Sequence, residues 1–139
     1  MLTVTEAINR LTSAAARPTE MESVLVTGSL GRILATDIIS PISVPPADNS
    51  AMDGYAFCYA DAVSHDFKLS LSTRIPAGVA PTPLAKNTVA RIFTGAEMPV
   101  NADTVAMQEN CIDQEGWVTI DSGVVAGANV RPLGQDILS

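Results

Sequence analysis

The chain has 139 residues and a formal net charge of −7, and its 8 basic residues are too few and too scattered for a nucleic-acid-binding surface. No apolar run is long enough to span a membrane, and the N-terminus lacks the basic and apolar regions of a signal peptide. A single histidine without a Cys-x-x-Cys pair excludes an ordinary zinc site. Cys58 and Cys111 are expected to be reduced, partly buried thiols, as in a cytoplasmic protein.

An N-terminal helix is predicted over residues 4–16. Thr3 precedes it and Glu6 follows three residues later, which is the capping-box pattern. Apolar side chains then recur at helical spacing, at Val4, Ile8, Leu11 and Ala15. Arg17-Pro18 is expected to end the helix, because the residue before a proline disfavours helical geometry. The apolar face of this helix requires a packing partner.

The rest of the chain is predicted to form short strands separated by turns rich in glycine and proline. The clearest strand spans 67–75, where apolar and polar side chains alternate. The other predicted strands are 23–26, 33–39, 88–93, 104–110 and 117–120, with a helical turn at 29–34. The last strand is expected to pair with 104–110 through a turn at 113–116. The predicted fold class is therefore mostly β (α+β), with an N-terminal helix and an irregular, barrel-like β domain.

The segment from Pro41 to Gly54 is predicted to be a long, stiff loop, because it is dense in proline, asparagine and aspartate. Its prolines stiffen the approach to two carboxylates, Asp48 and Asp53. One interpretation is a pre-organised loop that presents Asp53, and with it Asp48, to a cation or a polar ligand. The alternative is a structural turn in which these side chains bond to their own backbone.

Two further segments concentrate polar groups. In 91–99 a strand ends at Thr94-Gly95, which can direct a hydroxyl and free backbone N–H groups at an oxyanion. In 127–136, Arg131 is a suitable guanidinium fork for an oxyanion and Asp136 is a candidate metal ligand. For both segments the alternative is a surface turn, with an incidental ion pair in the second.

In this order, the three segments resemble the N-terminal region of the molybdopterin molybdenumtransferases, the family of bacterial MoeA and the gephyrin E domain. The strongest element is 45–56, which contains Pro-Pro-Ala-Asp-Asn-Ser-Ala-Met-Asp-Gly-Tyr-Ala. The second is 94–109 and the third is 127–137, so the resemblance covers essentially the whole chain. The chain departs from the usual family residues at Ala47, Glu97, Asn101 and Gln135.

The resemblance implies an enzyme that inserts molybdenum from molybdate into adenylylated molybdopterin and releases AMP, with Mg²⁺ as divalent cation. It implies that Asp53, Thr94 and Asp136 are catalytic, and that Asp53 and Asp136 hold the metal. It also implies that Ser50, Thr94, Gly95 and Arg131 bind the anionic substrate. Molybdate is a tetrahedral dianion like phosphate, and a hydroxyl, N–H groups and an arginine suit its oxygens.

The resemblance also implies partners. Family members are considerably longer and carry an α/β pterin-binding domain and a C-terminal β domain, so the chain is interpreted as an N-terminal fragment. Residues 1–44 would begin the elongated domain, 45–126 would form the cleft-lining β domain, and 127–139 would return to the elongated domain. The expected partners are the missing C-terminal domains, a second copy in a homodimer and other molybdenum-cofactor proteins. Neither nucleic acid nor a membrane is expected, and the isolated chain is expected to have negligible insertion activity.

Two other functions stay open at this point. One is an interaction module, in which the β domain docks other molybdenum-cofactor proteins without catalysis. The other is a dimerisation arm without a ligand of its own. The joint presence of Asp53, Thr94, Arg131 and Asp136 favours the enzyme, because a scaffold does not require these four side chains.

Overall fold

The computed structural model describes residues 2–16 and 20–139. The chain divides into two compact units, one ending at Ile38 and the other formed by Ile39–Ser139. The predicted division at residues 44/45 and 126/127 stays a prediction. No helix within the two described ranges is both long and apolar enough to cross a membrane.

The first unit contains helix α1, Val4–Ala14. The predicted capping box is present: the Thr3 hydroxyl accepts from the Glu6 N–H at 3.3 Å, and the Glu6 carboxylate accepts from the Thr3 N–H at 2.8 Å. The helix ends two residues before the predicted limit, because Ala15 is already extended. The predicted stop at Arg17-Pro18 lies outside the described residues.

The strands predicted at 23–26 and 33–39 are wrong. Neither segment pairs with another strand, and the first runs into a 3₁₀ turn at Val26–Gly28. This turn lies just before the helical turn predicted at 29–34. Apolar residues favour a strand only where a neighbouring strand satisfies the backbone, and the described residues of this unit supply none. Many apolar side chains of the unit are exposed, among them Val4, Ile8, Leu11, Leu25, Leu30 and Ile33.

The second unit is built on a six-stranded sheet with the order β5-β2-β4-β3-β7-β6. Its strands are β2 Gly54–Phe57, β3 Lys68–Ile75, β4 Thr88–Ile92, β5 Thr104–Met107, β6 Cys111–Gln114 and β7 Trp117–Ile120. All neighbours are antiparallel except β3 and β4, which are parallel. A second, two-stranded sheet pairs β1, Asn49–Ser50, with β8, Val130–Arg131. A short helix that the sequence did not predict, α2 at Tyr59–Ser64, links β2 to β3.

The large sheet is curled into an open half-barrel. Tyr55 lies on β2 and Asp113 on β6, which are four strands apart in the sheet and would be about 19 Å apart if it were flat. The Tyr55 hydroxyl nevertheless donates to the Asp113 carboxylate at 3.0 Å. The two edge strands β5 and β6 do not pair, so the barrel stays open. This confirms a mostly β fold and specifies its barrel-like form.

Apolar side chains cover both faces of the sheet, because neighbouring residues of a strand point to opposite sides. The concave cluster is Tyr55, Phe57, Ala62, Leu69, Val89, Ala106, Val118 and Ile120. The opposite cluster is Ala56, Ile75, Leu84, Ala90, Ile92, Ala96, Met98 and Val105. Cys58 and Cys111 are free and half-buried, as predicted. The sheet is therefore a rigid platform whose strand ends carry the polar segments.

The hairpin at the sheet edge corrects one predicted pairing. The strand 117–120 pairs with Cys111–Gln114 across a two-residue turn, and not with 104–110. Glu115 and Gly116 have φ of 53° and 80°, the left-handed geometry of the tightest hairpin turns. The predicted strand 104–110 ends at Met107, where a 3₁₀ turn at Gln108–Asn110 leads into β6.

Candidate functional site

The three motif segments meet along one backbone ladder in the second unit. β1 pairs with β8, so that Asn49 lies opposite Arg131. On its other side Asn49 forms an antiparallel bridge with Glu97. The segment predicted to be a long, stiff loop therefore contains a short strand, held between the other two segments. Distant parts of the sequence converge here because their backbone groups pair with one another.

Further hydrogen bonds fix the middle segment to both neighbours. The Asp48 carbonyl accepts from the Met98 N–H at 2.8 Å, and the Asp48 carboxylate accepts from the Leu133 N–H at 2.7 Å. The Asn49 side chain donates to the Gly95 carbonyl at 3.1 Å. Asp48 thus ties the three segments together, and its carboxylate accepts from a distant backbone N–H, not from its own backbone as the structural alternative expected.

Asp53 and Thr94 form the central pair of the site. The Asp53 Oδ1 atom accepts from the Thr94 backbone N–H at 2.8 Å and from the Thr94 hydroxyl at 2.7 Å. The backbone hydrogen bond, followed by the hydroxyl hydrogen bond, lowers the pKa of Asp53 below its ordinary value, and the Arg91 charge adds to this. Both residues are exposed. Asp53 is therefore an ionised carboxylate. Its Oδ1 atom accepts both hydrogen bonds from Thr94, and its Oδ2 atom accepts none from this partner.

The backbone beside Asp53 is anchored at three points. The Asp53 carbonyl accepts from the Gln108 N–H at 3.1 Å, and the Gly54 carbonyl accepts from the Arg91 guanidinium at 2.8 Å. Gly54 also lies against β5 so closely that a Cβ atom there would be 1.9 Å from the Ala106 carbonyl oxygen. The glycine of the motif thus serves a close approach between strands, and Asp53 lies immediately before β2.

Arg131 and Asp136 form the second charged pair. An Arg131 Nη2–Asp136 Oδ2 ion pair of 2.6 Å joins them, and the two side chains are 44% and 50% exposed. At this exposure the pair contributes little to stability, about 0–1 kcal/mol. The remaining guanidinium N–H groups and the Asp136 Oδ1 atom have no hydrogen bond within the described residues. They are available to a ligand.

The backbone N–H groups predicted to be free for an oxyanion are occupied in this structure. Thr94 N–H donates to Asp53, Gly95 N–H donates to the Ser50 carbonyl at 2.8 Å, and Ala96 N–H donates to the Phe93 carbonyl at 2.9 Å. These bonds close the turn after β4 and attach it to β1. The prediction that this turn offers free backbone N–H donors is therefore wrong. A ligand can reach the Thr94 hydroxyl and the side chains near it.

Ser50 lies at the base of the site and not on its surface. It is 1% exposed, and its hydroxyl donates to the Met52 carbonyl at 2.6 Å. This is a local turn of the kind that serine favours. Its side chain holds the loop that leads to Asp53.

Asp53 and Asp136 are the residues that suit a metal ion. Each offers one carboxylate oxygen without a hydrogen bond among the described residues, and carboxylate oxygens are the ligands that Mg²⁺ prefers. Within residues 2–16 and 20–139, no three His, Cys, Asp or Glu side chains form a metal cage. Mg²⁺ is commonly held by one or two carboxylates together with water and substrate phosphate, so each of these two carboxylates is a ligand of a suitable type for such an ion.

Arg91 and Gln108 also lie at the site, although neither was predicted from the sequence. The Arg91 guanidinium supports Gly54, stacks 5.2 Å from the centre of the Tyr55 ring and donates to the Gln108 side chain. The register β2/β4, in which Tyr55 lies opposite Arg91, produces these contacts. The only sequence signal was a charged residue in the middle of an apolar strand.

An open, curled β sheet whose strand ends carry an Asp–Thr pair, joined to the third motif segment by the pairing of β1 with β8, defines the class of protein: the β-rich N-terminal part of a MoeA-type protein. The chain belongs to the family whose model is described as the MoeA N-terminal region (domain I and II), and this model matches residues 2–139. The resemblance stated from the three segments is confirmed.

The relatives agree with this assignment. The chain is 35% identical to the molybdopterin molybdenumtransferase of Haemophilus influenzae over 99% of its own length and 34% of that protein. It is 43% identical to the corresponding protein of a Nostoc species over 73% of its length and 24% of that protein. A solved structure of the molybdopterin biosynthesis MoeA protein from Pyrococcus horikoshii is 34% identical, with a TM-score of 0.72 over 98% of this chain and 36% of that one. The chain thus spans about one third of the length of the first relative.

Proposed function

We propose that this chain is the N-terminal part of a molybdopterin molybdenumtransferase, in which it contributes the Asp53–Thr94 side of the cleft. The observation that carries the proposal is the convergence of all three motif segments on one ladder, with Asp53 and Thr94 hydrogen-bonded at its end. Relatives named molybdopterin molybdenumtransferase support the reaction. The substrates are molybdate and adenylylated molybdopterin, and AMP is released.

The residues have distinct parts in this proposal. Thr94 holds the Asp53 carboxylate ionised and oriented, so that Oδ2 faces the cleft. The exposed Arg131 guanidinium binds an oxygen of the anionic substrate, and Asp136 orients that guanidinium through their ion pair. Asp53 and Asp136 hold Mg²⁺, which when bound neutralises the charge of the adenylate phosphate. Gly95 and Ser50 support the loop and do not contact the substrate.

The proposal extends to partners and location. The relatives are longer than this chain, and in this proposal the part of the protein beyond this chain supplies the domains that complete the cleft. The exposed apolar side chains of α1 offer a surface for such a domain or for a second copy in a homodimer. The same surface favours the second candidate, a docking or dimerisation module for molybdenum-cofactor proteins. We also propose that the protein acts in the cytoplasm, on a soluble cofactor precursor.

The test measures molybdate-dependent release of AMP from adenylylated molybdopterin by the longer protein that contains this chain. Asp53→Asn removes the charge and keeps the shape, and we expect the rate to fall at least about tenfold. Asp66→Asn is the matched control, because Asp66 is exposed and lies on the loop before β3, and its rate should stay unchanged. Equal rates for wild type and Asp53→Asn would overturn the catalytic role.

A second measurement separates catalysis from docking. The 139-residue chain alone should show negligible AMP release, since it carries only one side of the proposed cleft. Pull-down of molybdenum-cofactor proteins that survives both Asp53→Asn and Arg131→Gln, without any effect of these variants on AMP release, would favour the docking module instead.

A further inference from the structure

A groove of about 490 Å³ opens at one end of the concave side of the half-barrel. Strands β2, β3, β4 and β6 form its walls, with Tyr55, Arg74, Arg91 and Asp113 among the lining residues. The concave apolar cluster closes its floor, because Tyr55 belongs to that cluster. Mouths of barrels are places where small-molecule sites occur, and this volume lies in the range of such sites.

Two guanidinium groups each lie within cation–π distance of the same aromatic ring in this groove. Arg74 and Arg91 lie opposite each other in the parallel register of β3 and β4. Their Cζ atoms are 4.6 Å and 4.7 Å from the centre of the Phe93 ring. Like charges at opposed positions of a sheet are destabilising, and neither arginine belongs to an ion pair in the described part of the chain. The arrangement concentrates positive charge in a protein with few basic residues.

The two arginines differ in how they are held. Arg91 is half-buried and donates to the Gly54 carbonyl, the Ile92 carbonyl and the Gln108 side chain, so its guanidinium is fixed. Arg74 is exposed, and its guanidinium makes no hydrogen bond to a described residue beyond its stacking on Phe93. The fixed guanidinium sets the position of an anion, and the free one can close on it.

A bulge in β3 shapes the rim of the groove. The pairing register of β3 with β4 shifts between Leu71 and Thr73, and Ser72 is the extra residue. The Ser72 hydroxyl donates to the Val89 carbonyl at 3.1 Å, which holds the bulge in place. Bulges re-aim the side chains that follow them and are common beside binding sites. Here the exposed Thr73 and Arg74 follow the bulge and line the groove.

One carboxylate, that of Asp113, also lines the groove. Its Oδ2 atom accepts from the Tyr55 hydroxyl at 3.0 Å, so this oxygen is satisfied within the protein. Two guanidiniums against one carboxylate leave the groove positive. A ligand with a dense negative charge is favoured over a neutral one.

We propose that this groove binds the phosphate group of a small phosphate monoester. A phosphate dianion offers three oxygens to two guanidinium forks, whereas a carboxylate offers only two. The groove is larger than a phosphate ion, and the remaining volume accommodates the organic part of the ligand. It shares no residue with the Asp53, Thr94, Arg131 and Asp136 set, and the inference stands whether or not the proposed reaction is correct.

The test is calorimetric titration of the 139-residue chain with inorganic phosphate, ribose 5-phosphate and adenosine 5′-monophosphate, with adenosine as the uncharged comparison. We expect the three phosphates to bind and adenosine not to bind, with affinity falling as salt rises. Arg74→Gln should weaken the binding of all three about tenfold or more, because it removes a charge-assisted contact. Lys68→Gln is the matched control, since it removes one positive charge from the same strand outside the groove and should change affinity less than about twofold.

Three outcomes would overturn the proposal. They are no binding of any phosphate up to about 10 mM, binding of adenosine as tightly as its monophosphate, and equal losses in Arg74→Gln and Lys68→Gln. Thermal unfolding of both variants establishes that they are folded, and Arg74 is exposed, so its replacement leaves the core intact. Amide shifts on addition of adenosine monophosphate should centre on 72–74 and 91–93; shifts centred on 129–136 instead would assign the phosphate to Arg131 and reject the groove.

Discussion

The Asp53 carboxylate accepts both hydrogen bonds that Thr94 can donate, from the backbone N–H at 2.8 Å and from the hydroxyl at 2.7 Å. Because both bonds favour the charged form, the pKa of Asp53 is lowered in the folded state. A lowered carboxyl pKa stabilises the fold above the pKa of the unfolded chain, and this stabilisation is lost as the pH falls through the folded pKa. The link between β2 and the turn after β4 is thus fully stabilising at neutral pH and weakens only in acid.

Removing the Thr94 hydroxyl should raise the pKa of Asp53 part of the way to its ordinary value. Thr94→Val keeps the shape of the side chain and the backbone hydrogen bond, which is the larger cause of the shift, but deletes the hydroxyl donor. Thr94→Ser keeps the donor and is the matched control. The measurement is an NMR titration of the Asp53 carboxyl carbon in the three proteins. An unchanged pKa in Thr94→Val would show that the hydroxyl does not act on Asp53.

Gly54→Ala should strongly destabilise the second unit. The added Cβ would lie 1.9 Å from the Ala106 carbonyl oxygen, and this neighbour is backbone, so β2 and β5 would have to separate. We expect a loss of about 3 kcal/mol or more in the free energy of unfolding, measured by urea denaturation. Gly28→Ala is the control, since no atom lies within 4 Å of a Cβ there. Similar stability of the two variants would contradict the close approach.

The Tyr55–Asp113 hydrogen bond should couple the two sides of the half-barrel. Tyr55 is 7% exposed, and its bond to Asp113 bridges strands that are far apart in the sheet order. We expect a coupling energy of about 1 kcal/mol between Tyr55→Phe and Asp113→Ala in a double-mutant cycle of unfolding free energies. A cycle of Tyr55→Phe with Asp121→Ala, which removes a carboxylate outside this contact, should show none. A coupling energy of zero in the first cycle would mean that this hydrogen bond does not stabilise the curled form of the sheet.

Cys111 should react slowly with alkylating reagents at neutral pH. Burial raises the pKa of its thiol to about 11, and the thiolate is the reactive form. In a Cys58→Ser protein, the rate of iodoacetamide labelling should therefore rise about tenfold per pH unit from pH 8 to pH 10 without a plateau. The same protein in urea should reach its plateau near the ordinary thiol pKa. A plateau below pH 9 in the folded protein would contradict the raised pKa.

Local chemistry made several features predictable. The Thr3–Glu6 capping box, the alternating strand at 67–75 and the apolar strand at 88–93 depend on neighbours in the sequence, and all three are present. The 33–39 segment has the same apolar character as a strand, yet it pairs with nothing in the structure. A strand is stable only when another segment satisfies its backbone, and that partner cannot be read from the segment itself.

The features of the candidate site also fall into those that depend on local sequence and those that depend on tertiary contacts. The amino-acid sequence by itself determined the family, through the run from Pro45 to Ala56, and the types of chemical group available in the three segments. Only the tertiary structure decided that Asp53 meets Thr94, that the N–H groups of Gly95 and Ala96 are occupied, and that Arg74 and Arg91 lie side by side. Side-chain type is a local property, whereas hydrogen-bond partners, register and the curl of the sheet arise from contacts between segments far apart in the chain.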